Sequence, residues 1–280
     1  MRALVLGIAF LAGSLQLSAQ EFSYYDLPSS LNEISGLELI NDSLLVGFND
    51  GGNDPDLYLM NLKGKVIKTV DIKDAYNKDW EDIASDGKYL YIGDIGNNLN
   101  KRRKLNIYRV KIDDVLNKRS VESEEIVFKY KEQKEYPPDS EALFYDAEGM
   151  VAVDDSIWVF TKNRAANSDG KSWIYKIPTK PGEYTVEHTN DVYFGTDGWM
   201  IDGITAVDAY SDTFYFLTYN RYVVKKWTGK KFTDISEYEF ESIAQRESLV
   251  VYNENTIFVA DEKNRLLGEV KLYKIRTDRD

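Results

Sequence analysis

Asp79-Trp80-Glu81-Asp82-Ile83-Ala84 runs through the turn Ser85-Asp86-Gly87 into Tyr89-Leu90-Tyr91-Ile92-Gly93-Asp94-Ile95-Gly96-Asn97-Asn98. An acidic residue opens a short apolar strand. A turn follows, then a strand of alternating aromatic and aliphatic residues, then a polar tip of Gly, Asn and Asp. The rest of the chain copies this pattern, and a repeat of that kind decides a fold.

The unit is an anchor residue, an apolar residue two places on, and a strand centred ten to twelve places on. In order, the anchors are Ser35, Glu81, Glu148, Asp202 and Glu247, spaced by 46, 67, 54 and 45 residues. Ser140-Glu141-Ala142-Leu143 and Phe240-Glu241-Ser242-Ile243 also fit the start of a unit, but the distance to the following strand favours Glu148 and Glu247. Third strands follow at 57–62, 105–112, 173–177, 223–228 and 270–275, and units one to four add an outer strand. Unit five lacks one. Phe22-Ser23-Tyr24-Tyr25-Asp26-Leu27 alternates like an edge strand and supplies it, closing a ring. The expected fold is all-β, a five-bladed β-propeller, which handles exposed strand edges by radial repetition. Residues 113–125 read as polar with a helical turn, and 165–171 as an exposed loop.

Residues 1–20 read as a secretory signal, with Arg2, an apolar run from Ala3 to Ala12, and Leu17-Ser18-Ala19 before Gln20. Residues 21–280 then form one domain, exported to the periplasm or secreted. No Cys occurs, which excludes a lipid-anchoring Cys, a disulfide framework and a thiolate nucleophile. Loss of Arg2 takes the net charge from −12 to −13, a sign that argues against nucleic acid and anionic membranes. No run after the signal is long enough to span a bilayer.

Innermost propeller strands line the central channel, so equivalent anchors face one another. Four carboxylates converging there raise one another's pKa unless something neutralises them. No Lys or Arg occupies an equivalent position, so a bound cation is the expected answer. An all-oxygen set without His or Cys excludes a typical zinc site and suits Ca²⁺, with Ser35, Glu81, Glu148, Asp202 and Glu247 as ligands.

The second-strand tips gather Asp50, Asn53, Asp94, Asn97, Lys162, Arg164, Asn220, Arg221, Asp261, Glu262 and Lys263 on one face, with Asn264 beside them. Of these, Asp50, Asp94, Asn97, Lys162, Arg164, Asn220, Arg221, Asp261 and Glu262 are the candidate ligand-binding residues. Lys162, Arg164 and Arg221 suit a phosphate or carboxylate, and Asp50 and Asp94 suit a second ion. The competing reading is that Asp, Asn and Gly simply form the turns. His188, the only His, falls in a polar stretch and leaves no basis for a Ser-His-Asp triad. Trp80, Trp158 and Trp173 read as inter-blade core; an exposed Trp199 or Trp227 would point to glycan contact.

Asp79–Ala84, Gly93–Asn98, Ile107-Tyr108-Arg109-Val110, Phe160–Arg164 and Asp261-Glu262 together resemble an uncharacterised family of exported bacterial β-propellers, over nearly the whole chain. The anchors also resemble the ring of the calcium-activated nucleotidases (soluble apyrases), five-bladed propellers with a channel calcium. Ser35, Glu81, Glu148 and Glu247 match that ring, while Asp202 replaces a Ser, and the apyrase nucleotide-binding residues have no convincing match. The resemblance implies the fold and the ion more than the reaction. The leading expectation is a calcium-stabilised propeller of the cell envelope that binds a small-molecule or protein ligand at its mouth, as a monomer or in an envelope complex. The alternatives are a calcium-dependent hydrolase of phosphate esters or anhydrides, and a lactonase- or esterase-like propeller with an open metal site.

Overall fold

The computed structural model describes residues 22–263 and 270–277. The expected signal at 1–20, and Asn264 at the last tip, lie outside them. The described strands form five sheets arranged as blades, each with a four-stranded antiparallel core. Blade one is Ile34–Asn41, Leu44–Asn49, Asp56–Asn61 and Val66–Lys73, and blade two is Trp80–Ser85, Tyr89–Asp94, Leu105–Lys111 and Glu124–Tyr130. Blade three is Asp146–Val153, Ser156–Lys162, Lys171–Pro178 and His188–Tyr193, and blade four is Ala206–Tyr210, Thr213–Leu217, Arg221–Trp227 and Phe232–Glu239. Arg246–Asn253, Thr256–Asp261 and Lys271–Arg276 make blade five, and Phe22–Asp26 pairs outside them from Phe22↔Ile275 to Asp26↔Lys271. The innermost strands meet their neighbours around a closed ring, blade five against blade one included.

Period-two alternation builds the core, because each strand sends one set of side chains into the wedge on either side of its blade. Trp80 shows how the wedges fill. It is fully buried between blades one and two, edge-on to Phe48 at 5.2 Å and beside Tyr108 at 6.1 Å, and its Nε1 donates to Tyr76 O. Trp158 is buried against Phe214 and Trp227 in the wedge of blades three and four.

Two features depart from the sequence reading. Residues 113–125 hold more than a turn: helix Ile112–Asn117 leads into Ser120–Glu122, which adds in parallel to the outer edge of blade one. Gly182–Val186 caps blade two in the same way. His188 opens the outer strand of blade three rather than lying in a loop, with Nε2 2.6 Å from Asp191 Oδ1. No helix among the described residues is long and apolar enough to cross a membrane.

Candidate metal centre at the channel mouth

Four anchors share one backbone device. The ladder between first and second strands skips a residue at Ser35, Glu81, Glu148 and Glu247, leaving each as the extra residue of a β-bulge. A bulge re-aims a side chain that regular pairing would send into a wedge. It also settles the two alternatives. Glu148 and Glu247 lie on innermost strands and are buried, whereas Glu141 sits in the exposed turn Ser140–Ala142 and Glu241 lies outside a strand.

Blade four is different, and the placement of Asp202 is corrected. Its innermost strand begins only at Ala206 and pairs Ala206↔Leu217 and Val207↔Phe216 without a skip. Asp202 ends the helical turn Trp199–Asp202, and its Oδ1 lies 2.6 Å from Arg221 Nη2.

The expectation that no basic group neutralises the ring is also corrected. Lys162, fully buried at the end of the second strand of blade three, places Nζ 3.3 Å from Glu148 Oε2. Arg164 Nη2 donates to Glu148 Oε1 at 2.9 Å, and its Nε pairs with Asp146. Burial still outweighs these cations and pushes Glu148 up to about 8. Lys162 Nζ also donates to Tyr219 OH, which donates to Glu247 Oε1 at 3.1 Å. Ser35 Oγ donates to the Glu81 carbonyl in the next blade at 3.0 Å.

Glu81 remains. It is 6% exposed, and its carboxylate has no hydrogen-bond donor or cationic partner among the described residues. Burial pushes its pKa far up, followed by the fields of Glu148, Asp50, Asp146 and Asp79. Oxygens of Asp50, Asp79 and Glu81 all lie within 4.8 Å of one another, as do those of Asp50, Glu247 and Glu262. With three carboxylates and neither His nor Cys, the set offers oxygen donors alone, the kind that Ca²⁺ takes in numbers of about 6–8. Burial and neighbouring carboxyls raise Asp50 to about 7, Asp79 to about 6 and Glu262 to about 10. Two glycines keep the backbone close to this pocket. A Cβ on Gly96 would overlap Glu81 Oε1 and the Asp79 carboxyl, and one on Gly51 would meet Lys78 O and Asp79.

The other tip candidates are spent on holding the mouth together. Asp94 pairs with Arg102 at 2.7 Å and accepts from Asp79 N, and Asn97 N donates to Asp146 in blade three. Asn220 Oδ1 accepts from Thr218 within its turn. Arg221 binds the carbonyls of Phe194 and Ile201 as well as Asp202. Asp261 accepts from Tyr273 OH at 2.9 Å beside Arg246. Glu262 accepts from Gln245 at 3.0 Å. Trp199 is 36% exposed, with the Arg164 guanidinium 4.5 Å from its ring centroid.

Sequence reasoning missed Asp79 as a site residue, although its place beside the anchor was the available signal. It also missed a second set of acids on the innermost strands, Glu38, Asp82 and Asp208. Asp82 accepts from Ile83 N and from Met150 N of blade three, and Asp208 from Ala209 N and Val251 N of blade five. Burial raises Asp208 to about 7 and carries Glu38 and Asp82 further up.

No family model and no curated protein matches the chain, so both resemblances rest on their residues alone. Solved structures share the fold. Glutaminyl cyclase from Myxococcus xanthus aligns at a TM-score of 0.55 and 12% identity, over 91% of this chain and 94% of that one. A streptogramin B lyase aligns at 0.47 and 10%, over 92% and 98%, and virginiamycin B lyase from Staphylococcus aureus at 0.43 and 14%, over 90% and 69%. At 12% identity the likeness to the glutaminyl cyclase bears on the fold alone.

Proposed function

We propose that the chain is an exported, calcium-binding β-propeller of the cell envelope whose mouth engages a small-molecule or protein ligand. The observation that carries the reading is the buried Glu81 carboxylate, without a partner and converging with Asp50 and Asp79. A buried charge of that kind is costly unless a cation compensates it. The proposed ion lies between blades one and two rather than in an axial cage. Of the expected cage, Lys162 and Arg164 neutralise Glu148, Arg221 holds Asp202, and Ser35 is spent on a carbonyl. Asp50 and Asp79 are only half-buried, so the remaining coordination positions open toward the mouth, where a carboxylate- or phosphate-bearing ligand reaches the ion.

Binding is favoured over hydrolysis by the state of the cations. Transition-state stabilisation in phosphoryl transfer needs basic groups free to meet developing charge. Here Lys162, Arg164 and Arg221 are each engaged by a buried carboxylate. The test is a thermal melt in EDTA followed by added Ca²⁺ or Mg²⁺. Saturation at about 100 Kd stabilises the fold by roughly 2.7 kcal/mol. A calcium-selective rise that Glu81→Gln abolishes supports the reading; a midpoint indifferent to both ions, with no metal retained, removes it. Calcium-dependent phosphate release that disappears in Glu81→Gln would favour the hydrolase instead.

A further inference from the structure

Beside the channel mouth, the segment from Phe194 to Gly203 folds over the tip of blade three and leaves a partly open recess between them. The two backbones touch: Phe194 N donates to Gly170 O at 2.9 Å, and a Cβ on Gly170 would overlap the Gly195 carbonyl. Trp199 lines the recess together with Ser172, Thr161, Asn163, Ser168 and Asp202. Its free space admits a single water-sized group. We infer that this recess is a carbohydrate subsite, in which one sugar hydroxyl enters to Ser172 Oγ while the sugar ring lies against Trp199.

Ser172 supplies the first reason. It is 3% exposed, and its Oγ has no hydrogen-bond partner among the described residues. An unpaired hydroxyl at that depth is costly, so the space beside it suits a group that both donates and accepts. The other polar side chains of the recess are engaged. Thr161 Oγ1 accepts from Trp173 N at 3.0 Å, Ser168 Oγ accepts from Gly170 N at 3.1 Å, and Asn163 Nδ2 donates to Asp169 at 3.1 Å.

Charge supplies the second reason. Asp202 is neutralised by Arg221, and Lys171 at the rim lies 3.5 Å from both Asp169 and Asp191. Among the described residues no uncompensated charge lines the recess, so it selects a neutral hydroxyl over a carboxylate, phosphate or ammonium group. Trp199 supplies the third. A water would satisfy Ser172 but would give the indole no partner. The ring stays 36% exposed, with the Arg164 guanidinium 4.5 Å and Lys162 Nζ 5.7 Å from its centroid. A pyranose has an apolar face of C–H groups with hydroxyls radiating from its edge. It can therefore stack on an aromatic plane while one hydroxyl is hydrogen-bonded. Asp50, Asp79 and Glu81 do not line the recess, so this site stands independently of the proposed ion.

The experiment is saturation-transfer difference NMR on the purified protein, in EDTA and again in Ca²⁺, with circular dichroism to confirm folding of each variant. The probes are the methyl glycosides of glucose, galactose, mannose and N-acetylglucosamine. Transfer to at least one glycoside in either buffer is expected; transfer to none overturns the inference and leaves the proposed calcium site untouched. Trp199→Ala should abolish the signal, and transfer that persists in it overturns the location. Ser172→Ala forfeits no internal hydrogen bond, so its urea midpoint should hold or rise while sugar affinity falls about three- to tenfold. Affinity equal to that of the wild type overturns the entry of a hydroxyl at Ser172. Should Trp199→Ala not fold, Ser172→Ala decides the location by itself.

Discussion

Replacing Asp208 by asparagine removes one half-buried carboxyl from the innermost strand of blade four without changing its shape. The side chain accepts from Ala209 N and Val251 N, both at 2.7 Å, and burial raises its pKa from 3.8 to about 7 despite those donors. A carboxyl whose folded pKa is raised favours the folded state at low pH, and that advantage is lost as pH climbs from the ordinary value through about 7. At about 1.36 kcal/mol per pH unit, the group costs the fold roughly 4 kcal/mol once pH exceeds 7. The asparagine amide can accept only one of the two backbone bonds, a loss of about 1–3 kcal/mol that does not change with pH. Urea unfolding in EDTA at about pH 4.5 and about pH 8 separates the two effects. Between those conditions the wild type should lose about 3 kcal/mol more than Asp208→Asn. The coupling to Glu38 acts in the same direction, because removing the Asp208 charge eases ionisation of its neighbour. Parallel pH profiles, agreeing within about 0.5 kcal/mol, would refute the reasoning and place Asp208 in contact with solvent or a counter-charge.

Gly96→Ala should fold yet lose the calcium-linked rise in melting midpoint, because the added methyl occupies the space between Glu81 and Asp79; isothermal titration of Ca²⁺ checks this. Trp80→Ala should cost about 3–5 kcal/mol in urea unfolding through the cavity it opens beside Phe48 and Tyr108. Lys162→Met leaves Glu148 with Arg164 as its remaining cation, a loss of about 3–5 kcal/mol that should be larger above pH 8 than below it, as Glu148 ionises. Tyr130→Phe should stabilise the fold by about 1–3 kcal/mol in urea unfolding, since the buried hydroxyl it removes has no hydrogen-bond partner among the described residues.

The blades were legible in the sequence because strand identity is local: alternation, turn residues and spacing recur in each unit. The spacing even located Ser35, Glu81, Glu148 and Glu247 before any ladder was known to skip there. Blade four deceived the same reasoning. Ile201-Asp202-Gly203-Ile204 copies the anchor pattern, yet Gly198, with φ of 97°, starts a helical turn and Asp202 is drawn to Arg221. Nothing within four residues distinguishes that outcome from a bulge, because the deciding ion pair spans 19 positions. Neutralisation of the ring was equally hidden. Lys162 and Arg164 lie on a strand and loop 14 and 16 residues beyond Glu148, and only the closed ring turns them back onto it. Sequence by itself therefore determined the repeating strands and the four bulged positions, Ser35 and three glutamates, where near-neighbour sterics and hydrogen bonding suffice. The tertiary structure decided which acids share space and which cations reach them, leaving Glu81 alone with Asp50 and Asp79. That depends on where five blades bring their tips together, and on the cost of burying charge there.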